Sequence, residues 1–365
     1  MRILQISSAS SFGGGERYVV DLSNTLIARG HDLFAAVRPN SPLIPQLRIE
    51  AKNIKTIPLR NALDPQSARA LAKFVKDKQI DLVHAHMARD YSLAAYAVRG
   101  HPAKFVVTRH VLFPLNRLHR RTLSRADKII AVSVAVAKQI QGQQLVPEDR
   151  IALVHNGVDA ERYARTSEGF DRKSFLTSKN IPADKFLVST IGELRKLKRH
   201  DDFIRAAAIV SKKVPEAHFV IAGVDTSPKG ETKHQLIQLV EELKLSDNLS
   251  FLGWLDDADK LLCATDVFVS ASETESFGLS IVEAMAAGTP VVATRTEGAQ
   301  EVLENELTGL LVPIGDVDQL AAAVVRLLSD EEQRRSLAGR AAVAARESFS
   351  LKRMVDEIEK IYLEV

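Results

Sequence analysis

One cysteine, Cys263, stands among 365 residues, so no disulfide can form within the chain. A single thiol suits a reducing compartment, and its apolar helical context marks a packed thiol rather than a nucleophile. Long apolar runs are missing too. No stretch approaches the ~20 residues needed to span a bilayer. Met1-Arg2-Ile3-Leu4-Gln5-Ile6 is too short for a secretory leader and reads as a first strand. Charge of one sign is scarce: 49 Lys and Arg face 46 Asp and Glu, and the net charge of +3 points to no nucleic-acid partner. Repeats of 20–50 residues are absent, which excludes solenoids and propellers. The first glycine-rich turn lacks G-x-G-x-x-G spacing, which counts against a nicotinamide enzyme. What is present is 45% apolar and 26% charged residues, a globular composition with length for two domains.

The chain is organised around Ser270 to Gly298. Asp266 to Val269 is a short β-branched run suited to a buried parallel strand. Polar residues follow, then a helix from about Phe277 to Ala287. Gly288 stops that helix, and Pro290-Val291-Val292-Ala293 starts another strand. Glu275 therefore lies in a loop at the carboxyl end of a strand, where open α/β sheets bind ligands. Ser276 to Leu279 bring backbone N–H groups at a helix N-terminus, which attract phosphate. Glu283 sits roughly 7–8 Å further along the axis at ~1.5 Å per residue, about the span from a diphosphate to its ribose. One ligand can reach both glutamates and the amides between them. An ordinary βαβ unit with two exposed glutamates fits the same spacing.

Other stretches carry chemistry by position. After the strand Phe186 to Gly192, Arg195, Lys196, Lys198 and Arg199 put four cations into five residues. Cations at a helix start oppose its dipole, so a bound diphosphate explains them better than a plain basic helix. Gly13-Gly14-Gly15-Glu16 sits where the first strand meets a helix, where glycine lets backbone approach a ligand. His84 and His86 are two apart on one strand and share a face. A metal would need further ligands that the sequence does not place nearby, and His86, at the carboxyl end, is the better candidate for lining a cleft. His110 follows the strand Lys104 to Thr108. It can donate to a developing phosphate charge or a sugar hydroxyl, or be a half-buried structural histidine. Residues 109–128 hold Arg109, Arg117, Arg120, Arg121, Arg125 and Lys128 against one acid, Asp127, with leucines at helical spacing. They fit a solvated helix face, or contact with an anionic membrane or phosphorylated acceptor. In Asp256-Asp257-Ala258-Asp259, the Asp-x-Asp reads as a helix cap rather than a metal site. Residues 41–52 read as helical, and 160–184 as a polar, irregular linker. Ser329-x-x-Glu332 reads as a capping box.

Glu275-Ser-Phe-Gly-Leu-Ser-Ile-Val-Glu283, continuing as Ala-Met-Ala-Ala-Gly-Thr-Pro-Val-Val-Ala, closely resembles the Glu-x7-Glu signature of the GT4 (group 1) retaining glycosyltransferases, which have the GT-B fold. Gly13-Gly14-Gly15-Glu16 is similar to that family's first glycine-rich loop. Asn156-Gly157-Val158-Asp159 resembles its motif at the end of the first domain, and Thr296-Glu297-Gly298-Ala299 a second phosphate-side loop. Lys198 matches the family lysine. Glu193 stands where the family has arginine and Arg199 where it has glycine. The resemblance spans nearly the whole chain, strongest over 188–315 and weak over 40–105.

The resemblance implies an α/β chain of two Rossmann-like domains facing each other across a cleft: an acceptor domain over 1–165, a nucleotide-sugar donor domain over 166–345, and a helix over 346–365 packing back on the first. It implies that Glu283 holds ribose and Glu275 the donor sugar, while Phe277, Gly278 and Leu279 offer amides to the diphosphate. Lys198 and, in place of the missing arginine, Arg195 would neutralise the leaving group. Gly14 and Gly15 would meet the donor's distal phosphate, and Trp254 and Leu255 the base. Gly13, His86 and Arg109 would stand on the acceptor side, with His110 near the reaction centre. The expected activity is retaining, metal-independent transfer of a hexosyl group, without a cofactor. The donor is a UDP- or GDP-sugar, and the acceptor a glycan or lipid-linked hydroxyl in cell-envelope, lipopolysaccharide or glycolipid synthesis. The expected location is cytoplasmic, with 109–128 on the inner face of the cell membrane as the peripheral contact. Rival readings are a sugar-nucleotide isomerase or epimerase, and a non-catalytic sugar-nucleotide binder.

Overall fold

Short β-branched runs form the strands of two separate parallel sheets, as buried strands flanked by helices should. The computed structural model describes residues 1–116 and 118–365. It divides into two units, 1–157 with 351–365, and 158–350. Arg117 lies outside the described residues.

The first unit carries β1 (Arg2–Ser7), β2 (Asp32–Val37), β3 (Ile54–Thr56), β4 (Leu82–Ala85), β5 (Lys104–Arg109), β6 (Lys128–Ala131) and β7 (Ile151–Leu153). Their order is β3-β2-β1-β4-β5-β6-β7, all parallel. The order reverses at β1, which pairs with both β2 and β4. The crevice beyond the carboxyl ends of β1 and β4 is thus the switch point where such sheets bind ligands. Ile3, Leu82, Val106 and Ile130 pack against Leu22 and Leu26 of the Gly14–Ala28 helix and against Met354, Ile358 and Tyr362 of the Leu351–Glu364 helix. Arg29 ties those two helices together, reaching Asp356 and Glu359 at 2.6 Å each.

The second unit carries β8 (Phe186–Ile191), β9 (Ala217–Ala222), β10 (Leu249–Gly253), β11 (Val267–Ser270), β12 (Val291–Thr294) and β13 (Leu310–Val312). Their order is β10-β9-β8-β11-β12-β13, again all parallel. Here the switch point lies between β8 and β11, which places the basic loop after β8 beside the Glu275 loop after β11. Val188, Phe219, Val267 and Val292 pack with Phe203, Val324 and Leu327 in the core.

Four local expectations change. Residues 41–52 form two short 3₁₀ turns, Ile44–Gln46 and Ala51–Asn53, because Pro42 and Pro45 withhold the N–H groups an α-helix needs. Residues 160–184 are not irregular. Asp159 and Asp171 cap the helices Ala160–Ser167 and Arg172–Ser178 by accepting from Arg162 and Ser174 N–H. Arg162 then binds Asp259 at 3.1 Å, which packs the first of these helices into the second unit. The Glu331–Ser348 helix is capped by Asp330, whose carboxylate accepts from Gln333 N–H, rather than by Ser329. Within 109–128 the described helix covers only Leu118–Leu123.

Candidate functional site

In the second unit two loops meet at the switch point. Lys198 Nζ donates to Glu275 Oε1 at 2.5 Å, and Ser272 Oγ donates to the same oxygen at 2.7 Å. The Glu275 side chain is 11% exposed and that of Lys198 29%, so this is a largely enclosed pair with one open edge. Three contacts hold the frame. Glu273 N–H bonds Leu197 carbonyl across the loops at 2.9 Å, and Thr294 Oγ1 on β12 bonds Ser272 carbonyl at 2.5 Å. Gly298 N–H bonds Glu275 carbonyl at 3.0 Å. A Cβ on Gly298 would stand 2.7 Å from both Glu275 carbonyl oxygen and Phe277 nitrogen, so only glycine lets the Glu297–Val302 helix seat this loop.

The helix bearing Glu283 runs from Leu279 to Ala286, with Gly278 as its N-cap. It starts two residues later than the spacing predicts. Phe277 belongs to the loop, where its buried ring packs edge-on to Phe349 with centroids 5.6 Å apart. First-turn amides therefore follow directly on the Glu275 loop, and Glu283 lies half-buried one turn further on.

The basic stretch divides its cations. Lys196–Lys198 forms a 3₁₀ turn. Arg195, 54% exposed, pairs with Glu193 at 3.2 Å, while Thr226 Oγ1 donates to the other Glu193 oxygen. Arg199 takes the left-handed conformation (φ 47°), which explains why glycine serves at this position in the resembled motif. Its guanidinium meets Asp202 at 2.5 Å and Glu273 at 3.9 Å. Gly223, opposite, has no alternative: a Cβ there would lie 1.9 Å from Gly192 carbonyl oxygen. Trp254, 46% exposed, follows edge strand β10, two strands from β8, and its Nε1 donates to Asp256 at 2.8 Å. Leu255 beside it is part of the small cluster around Leu176 and Leu261.

The three acids of Asp256-Asp257-Ala258-Asp259 have separate partners, Trp254, Lys179 and Arg162. Asp257 holds the N-cap position without a side-chain cap bond. Among the described residues no group of three or more His, Cys, Asp or Glu is arranged to hold a metal ion. Cys263 is half-buried, and burial pushes its thiol up to about 11, as befits a packed thiol.

In the first unit the loop after β1 enters the Gly14–Ala28 helix with Gly13 as N-cap, and Glu16 accepts from Gly13 N–H at 2.9 Å. Asp90, fully buried on the Ala88–Ala97 helix, accepts from Ser8 N–H at 2.8 Å and so pins the start of this loop. Three imidazoles gather at the ends of β4 and β5. The rings of His84 and His86 are 4.1 Å apart, and those of His86 and His110 are 5.7 Å apart. His84 bonds Tyr362 hydroxyl at 2.6 Å and Thr108 at 2.7 Å. His86 bonds Gln5 at 2.7 Å. Burial pushes His84 and His110 down to about 3, with the Arg109 charge helping at His110, and His86 well below its ordinary value. All three are neutral at pH 7. Gly15 adjoins His110, where an added Cβ would lie 3.8 Å from the ring. Arg109 is buried and turned back on Phe113 carbonyl. Sequence reasoning missed Ser272, Gln5 and Asp90. None belongs to a motif that the sequence marks, and burial together with its hydrogen-bond partner reveals the role of each.

Two parallel-sheet units, each with ligand-type loops at its switch point, define a protein of two Rossmann-like domains. The family model described as glycosyl transferases group 1 matches residues 171–343, and that described as glycosyltransferase family 4 matches 12–162. The chain belongs to this family of glycosyltransferases. It is 29% identical to the N-acetyl-alpha-D-glucosaminyl L-malate synthase of Bacillus anthracis, over 99% of this chain and 96% of that one. It is 28% identical to the lipopolysaccharide core biosynthesis glycosyltransferase LpsE of Rhizobium meliloti, over 94% of each. The Anabaena protein HepE, solved with UDP and glucose, has a TM-score of 0.88 at 22% identity over 100% of both chains, which places the fold among the GT-B glycosyltransferases.

Proposed function

We propose that the chain transfers a hexosyl group from a UDP- or GDP-sugar to an acceptor hydroxyl with retention of anomeric configuration and without a metal ion. The observation that carries this reading is the Lys198–Glu275–Ser272 group at the β8/β11 switch point, immediately before a helix start. The second unit would hold the donor, with Glu283 on the ribose, Glu275 on the sugar, and the amides of Phe277 to Leu279 on the diphosphate. Trp254 and Leu255 would face the base. Two negative charges develop on the departing diphosphate; Lys198 and Arg195 would offset them. The C1–O bond to phosphate breaks, the C1–O bond to the acceptor forms on the same face, and the acceptor proton passes to the departing phosphate. No covalent enzyme intermediate is needed.

The first unit would take the acceptor, with Gly13, His86, Arg109 and His110 nearby and Gly14 and Gly15 toward phosphate. The acceptor would be a glycan or lipid-linked hydroxyl of the cell envelope, as the lipopolysaccharide core role of the Rhizobium relative suggests. Exposed Arg120, Arg121 and Arg125, with Phe113 at 55% exposure, support contact with an anionic membrane, which would place the chain on the inner face of the cell membrane.

A thermal-shift screen of UDP-, GDP- and ADP-sugars, run on the wild type and on Glu283→Ala, tests the donor site. Mass action gives ~2.7 kcal/mol at a hundredfold excess over Kd. A shift with one donor that Glu283→Ala abolishes supports the reading. No shift with any nucleotide sugar rejects it. A binding shift with epimerised product and no acceptor requirement turns the assignment to an isomerase.

A further inference from the structure

Gln5, on β1, is buried, and its side-chain Oε1 lies 2.7 Å from His86 Nε2. A carbonyl oxygen only accepts, so His86 carries its proton on Nε2. The other nitrogen, His86 Nδ1, is then a lone pair. It lies 3.4 Å from His110 Nε2, and a neutral ring with a lone pair can only accept there. His110 must therefore be protonated on Nε2, which leaves the lone pair on Nδ1. His110 stays neutral because burial and the Arg109 charge both disfavour a second proton. Tyr18, with its ring 4.7 Å from that of His110 and nearly perpendicular, packs against the imidazole and restrains its rotation. His84, tilted against His86 with ring centroids 4.1 Å apart and bonded to Tyr362 and Thr108, backs the His86 ring.

We propose that Gln5 and His86 are positioning residues that fix His110 as the Nε2–H tautomer, so that it presents Nδ1 as an acceptor to a substrate hydroxyl. This rests on the reading of His110 as a substrate-contacting residue. It reverses the simplest expectation for that histidine, which is donation. Recognition by an acceptor selects a ligand O–H and disfavours a ligand oxygen that cannot donate, such as an ether or a phosphate. The effect therefore falls on specificity as well as rate.

The test reads the tautomer directly. Nitrogen-15 NMR of the imidazoles in the full chain at pH 7.5, with His110 assigned by the signals lost in His110→Gln, should show Nε2 protonated and Nδ1 bare. Gln5→Leu removes the anchoring oxygen and should let His110 populate both tautomers. With the donor found by the screen above, Gln5→Leu should lower kcat about tenfold, with donor KM changed less than about twofold. A His110 proton on Nδ1 in the wild type, which a donating Gln5 amide would produce, overturns the proposal, as does an imidazolium at pH 7.5. A Gln5→Leu spectrum unchanged from wild type overturns it as well. If Gln5→Leu does not fold, the wild-type spectrum still decides. The tautomer does not depend on turnover, so an inactive wild type would count against the transferase reading and leave this inference standing or falling by the spectrum.

Discussion

Lys198 Nζ stands 2.5 Å from Glu275 Oε1, so the cation expected on a diphosphate and the carboxylate expected on a sugar are each other's partner in the free protein. A double variant separates the pair's part in stability from its part in activity. Lys198→Ala leaves a mostly enclosed carboxylate that still accepts from Ser272 Oγ but has lost its cation, which should cost about 1–3 kcal/mol. Lys198→Ala with Glu275→Gln should recover most of that loss, because the uncompensated charge is gone. Activity should behave differently: each single variant loses on the order of 10²–10³ in kcat, and the double variant recovers none of it. Chemical denaturation and initial rates on all four proteins check both halves. A double variant as unstable as Lys198→Ala would remove the ion pair as the cause.

Glu193 sits where a second cation would serve a diphosphate, and it holds Arg195 at 3.2 Å. That pair is too exposed to stabilise the fold appreciably. Its consequence is for binding, since Arg195 must leave Glu193 to reach phosphate. Glu193→Gln keeps a side-chain oxygen for Thr226 but frees the guanidinium. It should tighten nucleoside diphosphate binding roughly three- to tenfold, and Arg195→Ala should weaken it about tenfold or more. Calorimetric titration with UDP and GDP reads both. Unchanged affinity in Arg195→Ala would remove Arg195 from the site.

The switch-point loops were legible in the sequence because glycines, β-branched runs and charges mark them locally. The Glu275 loop, Lys198 and the glycine-rich turn are all chain-local patterns. The supports of those loops come from elsewhere in the chain and leave no local mark. Thr294 reaches Ser272 from the next strand, and Asp90 reaches Ser8 from 82 residues away. Residues 41–52 misled because their apolar spacing suits a helix while two prolines forbid it. The 160–184 stretch misled in the other direction: its polarity suggested a linker, but aspartates placed just before each run cap real helices. Glu193 shows the limit of motif matching, since only the structure reveals that Arg195 is its partner.

The membrane contact proposed for 109–128 would be made by a short helix, Leu118–Leu123, and its flanks. Arg120, Arg121 and Arg125 are exposed, and Phe113 offers an apolar anchor. Each basic residue near an anionic surface contributes about 1 kcal/mol. The protein should float with vesicles containing phosphatidylglycerol and stay behind with pure phosphatidylcholine. Arg120→Glu with Arg121→Glu should reduce flotation at least tenfold at physiological salt and leave nucleotide binding unchanged. Equal flotation with neutral vesicles would assign the stretch to a solvated face.

Acid should unfold the first unit over a defined window, with one residue working the other way. His84, His86 and His110 are held neutral in the fold, with His84 and His110 pushed down to about 3 from 6.5. Once pH falls below 6.5 the unfolded chain binds protons that the fold refuses, so stability is full above 6.5 and lost as pH drops toward 3. Three such groups give a slope of up to about 4 kcal/mol per pH unit. Asp90 has the reverse sign. Burial raises it from 3.8 to about 6, outweighing its Ser8 bonds and the charges of Arg89 and Arg38. The fold then holds a proton that the unfolded chain has lost, so this residue's contribution falls as pH rises from about 4 to 6. Ionised Asp90 costs about 3 kcal/mol at neutral pH, and its Oδ1 has no hydrogen-bond partner among the described residues. Asp90→Asn keeps an acceptor for Ser8 N–H without the charge. Its Tm should rise above wild type at pH 7.5 and match it near pH 4, while His110→Asn should flatten the acid limb by about one proton. Thermal melts from pH 3 to 8 read all three curves. An Asp90→Asn melt lower than wild type at pH 7.5, or offset equally at every pH, would show that the carboxylate is needed in its charged form to hold the Ser8 loop.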